Sequence, residues 1–143
     1  MFQEAVTTLD AVTGAGKPWY LQVAFTGAAF PFQVPAEFQE LYGENNPRRK
    51  HRPQQSSGDG ETRKGMVSAV DAAIGQIVDR LKKTEDWNNT VIIFLSVHGS
   101  SFEEANAPFT GSRGTLGEGG VRVPALVASP LLGAGAGGAV LED

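Results

Sequence analysis

Few side chains in this sequence could do chemistry, and their surroundings decide what each is worth. His51 and His98 are the only histidines, and there is no cysteine. That excludes disulfides, thiolate metal sites and a cysteine nucleophile, and leaves the redox compartment undetermined. His51 stands in the run Arg48-Arg49-Lys50-His51-Arg52, which could be a nuclear signal or a patch for anionic polymers. No aromatic residue interleaves with it, so a solvated loop is the favoured reading. His98 follows the apolar run at 90–95, at the kind of strand end where α/β folds keep their chemistry. A lone histidine there is more often a polar strand terminator than a ligand, and no carboxylate lies within the preceding five residues.

Gly14-Ala15-Gly16-Lys17 hints at a phosphate loop. The full pattern fails, because Ala11 stands where its first glycine belongs and Pro18 where Ser or Thr belongs. A helix stop is the better reading. Gly114, Gly117, Gly119 and Gly120 miss the dinucleotide spacing, and no strand immediately precedes them. Asn88-Asn89-Thr90 is a glycosylation sequon on Asn88, usable only in a secreted chain, and otherwise a turn before the next strand.

The elements that must position these residues follow from apolar spacing. Phe2, Ala5, Val6, Leu9 and Val12 repeat at three and four, predicting an amphipathic helix over 1–13. Residues 19–25 are aromatic and β-branched and predict a buried strand. A short helical turn is expected around Phe38 to Tyr42. Residues 43–64 carry almost no apolar residue and predict a flexible loop. The clearest helix is expected over 64–83, where Met66, Val67, Val70, Ile74, Ile77, Val78 and Leu81 share a stripe of about 120°. A turn at 86–89 leads to a strand at 90–95, whose continuous apolar run suits a central parallel strand, and a further strand is expected over 121–128. Strand, helix and strand in alternation predict an α/β fold with mainly parallel strands flanked by helices.

Composition bounds the class. The chain has 143 residues, 41% hydrophobic and 20% charged, with a net charge of −4. This suits one soluble domain and gives no basic field to attract nucleic acid or an anionic membrane. No apolar run approaches bilayer length, and nothing is expected to direct the chain to a membrane or into a secretory route.

Three stretches together resemble the arylsulfatase family of the alkaline phosphatase superfamily, most closely its arylsulfatase B-like branch. The first runs from Lys17-Pro18-Trp19-Tyr20-Leu21 to Pro31-Phe32-Gln33-Val34-Pro35. The second runs from Met66-Val67-Ser68-Ala69-Val70-Asp71 through Ile74-Gly75 to Trp87-Asn88-Asn89-Thr90-Val91. The third holds Asn106-Ala107-Pro108, Gly111, Glu118-Gly119-Gly120-Val121-Arg122-Val123-Pro124 and Ala128-Ser129-Pro130-Leu131-Leu132. The resemblance implies a calcium-dependent hydrolase fold whose modified cysteine nucleophile and first aspartate ligands precede these stretches. The sequence therefore resembles the central section of a sulfatase-like domain over 1–143.

At the positions where the resemblance places catalytic groups, this sequence departs from the family. Ala29 replaces a sulfate-contacting histidine, Val97-His98 replaces an Asp-Asn or Asp-His pair, and Arg113 replaces a lysine. Calcium takes six to eight oxygen ligands, which valine cannot supply and imidazole supplies poorly. The expectation is therefore a non-catalytic, sulfatase-like binding or structural component of an assembly, with no catalytic residue, metal ligand or cofactor of its own. His98 and Arg113 are expected to be at most a remnant anion-binding pair. Other protein chains would cover its incomplete sheet. The alternative is a fragment of a sulfatase whose nucleophile and metal ligands lie outside this chain. Isothermal titration with calcium should show no micromolar site; such a site, abolished by His98→Ala, would contradict this reading.

Overall fold

In the computed structural model the described residues are 2–27, 29, 31–42, 58–133 and 137–139. They form two compact units, Met1–Asp86 and Trp87–Asp143. The expectation for 43–57 lies outside the described residues.

In the first unit, the three-and-four spacing produces helix α1, Phe2–Val12, which buries Ala5 and Leu9. Its end is a backbone event. The Thr13 N–H donates to the Leu9 carbonyl at 3.0 Å, and Gly14 and Gly16 then take φ of 75° and 66°. Glycine adopts this left-handed conformation without the steric cost that Cβ imposes. The Gly-Ala-Gly-Lys pattern is thus a helix stop.

The short helix α2, Ala36–Glu40, packs on the long helix α3, Gly58–Leu81. A glycine makes the approach close: a Cβ on Gly65 would sit 2.9 Å from the Phe38 carbonyl oxygen. Tyr42 and Ser68 hydroxyls meet at 2.7 Å across the same pair of segments. Helix α3 starts six residues before the expected boundary, so 58–64 is helical where a loop was expected. Its first turns are polar, and the apolar stripe used to place the boundary begins only at Met66. Within the stripe, Met66 and Leu81 are buried, whereas Ile74, Ile77 and Val78 are half-buried. Arg80 on this helix donates from Nε to Asp10 Oδ1 of α1 at 2.6 Å. That bond first, and the Asp10 charge second, raise the Arg80 pKa above its ordinary value.

Residues 19–25 keep the alternation of a pleated strand. Trp19, Leu21, Val23 and Phe25 are half-buried, and Tyr20, Gln22 and Ala24 are exposed. No ladder partner for this segment exists among the described residues. The Asp86 carboxylate fastens its start, accepting from the Gly14 N–H at 3.1 Å and the Trp19 indole N–H at 3.0 Å.

The second unit holds strands β1, Ile92–Leu95, and β2, Ala125–Ala128. They pair antiparallel, with Ile92 opposite Ala128 and Leu95 opposite Ala125. This corrects the expected parallel relation between these strands, because an apolar run reports burial on both faces and says nothing about direction. Residues 121–128 are likewise not one strand: helix α4, Glu118–Val121, takes the first of them. The ladder is extended by Ser96 N–H donating to the Pro124 carbonyl at 3.3 Å, and the Ser129 hydroxyl closes the other end on the Thr90 carbonyl at 2.6 Å. Among the described residues no helix is long and apolar enough to cross a membrane.

Leu9, 1% exposed, is the most fully buried large side chain described. Leu9→Ala should lower stability by about 2–5 kcal/mol, and half-buried Ile77→Ala by less, because the cost follows the volume emptied. Urea unfolding of the two variants checks the order, with Lys83→Ala as the surface control.

Candidate functional site

The loops after β1 and before β2 carry the residues singled out for chemistry, and glycine contacts shape them. Gly99 N–H donates to the Gly120 carbonyl at 2.9 Å, and a Cβ on Gly99 would collide with the Gly119 carbonyl oxygen. Gly119 N–H in turn donates to the Thr110 carbonyl at 2.8 Å. A Cβ on Gly117 would stand 2.7 Å from that same carbonyl, and one on Gly120 would stand 2.6 Å from the Ser112 carbonyl. Side chains are therefore excluded from the centre of this loop, and backbone packs on backbone.

Asn106 ties the loop from inside. Its Oδ1 accepts the Ser100 N–H at 2.8 Å, and its Nδ2 donates to the Ser100 and Gly111 carbonyls at 3.0 and 2.9 Å. Glu103 Oε1 accepts the Gly111 N–H at 3.0 Å. Arg113 joins through its backbone, donating its N–H to the Ser100 carbonyl at 3.0 Å. Arg122 is committed elsewhere, with its guanidinium 4.6 Å from the Phe109 ring centroid and Nη1 at 3.3 Å from Glu118 Oε2.

His98 and Arg113 thus sit on two segments that the backbone joins, and both side chains are exposed. Neither side chain bonds the other among the described residues. The His98 Nδ1 meets the Gly99 carbonyl at 2.8 Å. A carbonyl only accepts, so Nδ1 is the donor in this bond. Val97 beside it is 90% exposed and offers only hydrocarbon. This donor set does not fit a calcium ion, which takes a shell of oxygen atoms.

Ala29 lies in the first unit, on an open groove of about 490 Å³. Phe25, Pro31, Gln33, Met66 and Val70 also line it, and the Ala29 methyl can neither accept nor donate a hydrogen bond there. Gly27 allows the loop to close on helix α3, since a Cβ there would collide with the Val70 side chain. Sequence reasoning passed over Asn106 as an organiser. An asparagine two residues after a pair of acidic side chains signals nothing by itself; only the folded loop brings Ser100 and Gly111 to its amide.

Comparison with known proteins agrees with this architecture. The sulfatase family model matches residues 1–135. Arylsulfatase J of Mus musculus is 32% identical over 136 residues, covering 92% of this chain and 21% of that protein. Steryl-sulfatase of Rattus norvegicus is 35% identical over 74 residues, covering 45% of this chain and 13% of that protein. The crystal structure of Ps i-CgsB in complex with k-i-k-neocarrahexaose superposes with a TM-score of 0.75 at 32% identity, over 91% of this chain and 27% of that one. The chain thus spans about a fifth of the length of the mouse relative.

Asn106→Ala should leave the Ser100 N–H without its acceptor and cost about 1–3 kcal/mol. Hydrogen exchange should accelerate at the Ser100 amide and stay unchanged at Leu9. With the loop geometry, the matched family model and the superposed structure in agreement, this chain belongs to the sulfatase family.

Proposed function

We propose that the chain acts as a non-catalytic section of a sulfatase-like domain, a binding or structural component whose small sheet is covered by further polypeptide. The observation that carries this reading is the sheet itself. Ile93 and Leu95 on β1, and Leu126 and Val127 on β2, are each more than half exposed, with Ile93 at 63% and Leu126 at 65%. Adjacent residues of a strand point to opposite faces, so apolar side chains on both faces of this sheet meet water. Each buried Val, Leu or Ile side chain is worth about 1.5–3 kcal/mol. A surface of this kind is built to be covered, and the mainly parallel α/β sheet expected from the sequence is one arrangement that would cover it.

The chemistry at the candidate positions supports the non-catalytic half of the reading. Sulfate-ester hydrolysis needs a nucleophile, a cation that polarises the sulfate, and a group that protonates the leaving oxygen. Ala29 and Val97 supply none of these, and His98 and Arg113 leave at most a remnant anion site. The lengths of the relatives favour a second reading. A chain matching 21% of one relative and 27% of another fits a fragment of a sulfatase whose nucleophile and metal ligands lie elsewhere.

A chromogenic aryl sulfate assay with calcium separates the readings. The chain alone should be inert, as should the triple variant Ala29→His, Val97→Asp, Arg113→Lys, because catalytic groups that act as a unit are not restored by repairing a few. Turnover that tracks the purified chain and is lost on Arg113→Ala would overturn the first reading. Turnover only from a longer product of the same reading frame, bearing a Cys- or Ser-x-Pro-x-Arg motif, would favour the second.

A further inference from the structure

Ser100-Ser101-Phe102-Glu103-Glu104 holds one arrangement twice, a serine with a glutamate three residues on, and folding treats the two copies oppositely. In the first copy both groups are spent. The Ser100 hydroxyl accepts the Phe102 N–H at 3.0 Å, and Glu103 Oε1 accepts the Gly111 N–H at 3.0 Å. In the second copy both are open. Ser101 and Glu104 are exposed, and among the described residues neither side chain makes a hydrogen bond or ion pair. A cation stands close by. The Arg113 N–H donates to the Ser100 carbonyl at 3.0 Å, so the Cα atoms of Ser101 and Arg113 lie within about 7 Å of one another. Arg113 is exposed, and its guanidinium makes no hydrogen bond or ion pair among the described residues. Arg122, by contrast, is held by Phe109 and Glu118.

We propose that Ser101 is a phosphorylation site for an acidic-directed serine kinase, with Glu104 as the recognition carboxylate and Arg113 as the receiver of the phosphate. Such kinases select substrates by charge pattern, and the folded chain offers them only the second copy of the arrangement. Ser101 Oγ attacks the γ-phosphorus of ATP and the O–P bond forms. The bond from that phosphorus to the bridging oxygen breaks, ADP leaves with the electron pair, and the hydroxyl proton passes to a carboxylate of the kinase. The product carries a charge of about −1.5 to −2 and three acceptor oxygens. A guanidinium pairs with such a group through two parallel N–H bonds. The new pair joins by side chains the two segments that the Ser100–Arg113 bond already joins by main chain. The assignment goes beyond the non-catalytic reading and does not depend on it.

The test treats the folded chain, and in parallel a peptide of residues 98–107, with a casein-phosphorylating, acidic-directed kinase and magnesium ATP. Phosphate within 98–107 is mapped by fragmentation mass spectrometry. The peptide should be modified on either serine and the folded chain on Ser101 alone. Glu104→Gln should slow modification of the chain by about tenfold or more, the loss of one charge-assisted contact, and Glu103→Gln should leave the rate near that of the parent. In the NMR spectrum of the phosphorylated chain, the Arg113 Nε–H resonance should shift while that of Arg122 stays. No phosphate on Ser101 of the folded chain, or phosphate on Ser100 to the same extent, overturns the site. A rate unchanged by Glu104→Gln overturns the recognition role. An Arg113 resonance unmoved in fully phosphorylated protein overturns the pairing. None of these readouts requires sulfatase activity.

Discussion

The second unit depends on how closely its backbone segments approach one another between Gly99 and Gly120. A side chain at Gly99, Gly117, Gly119 or Gly120 would run into a carbonyl of the neighbouring turn, so the loop exists only while these positions lack a Cβ. Everything placed there follows from that closeness. Gly99 reaches Gly120, Gly119 reaches Thr110, and Arg113 reaches Ser100, each through main-chain hydrogen bonds. Asn106 then satisfies groups that such packing would otherwise leave without partners. His98 and Arg113 inherit their positions from this framework. The loop is well built and chemically sparse, which separates the demands of folding from those of catalysis.

The same separation shows in where apolar surface goes. The first unit buries its few apolar anchors along α1 and α3, and its charged pair Arg80–Asp10 lies at the surface, where solvent screening leaves it a small role. The second unit instead leaves β1 and β2 uncovered, although valine, isoleucine and leucine dominate them. Two short strands with two open edges make a marginal sheet by themselves. An isolated pair with such a sequence would be expected to recruit a neighbour, by edge pairing or by covering a face. The proposal of a covering polypeptide rests on that imbalance and not on the resemblance to sulfatases.

Much of the helical structure was legible because its signals are local. The spacing of Leu9 with Ala5, and the glycines at 14 and 16, specify a helix and its stop within a few residues. The start of α3 was misplaced because its first turns are polar in sequence and the apolar stripe begins only at Met66. Strand direction was illegible in principle: Ile92 to Leu95 reads the same whether its neighbour runs parallel or antiparallel. Residues 19–25 carry the right alternation, yet a ladder needs a partner that no local pattern names. In the candidate site, the departures at positions 29, 97 and 113 were visible as residue types set against a family resemblance. The role of Asn106 was not, since its three bonds join residues that only the glycine contacts bring near.

Residues 86–90 show how a short stretch can serve structure at its ends and remain open in the middle. Asp86 is spent on the Gly14 and Trp19 N–H groups of the first unit. Thr90 is spent on the second, beneath the Ser129 hydroxyl. Both ends thus gain from burial or hydrogen bonding. Asn88 and Asn89 between them face solvent, and polar side chains suit the turn that joins the two fastenings. Folding constrains the two ends and leaves the middle exposed.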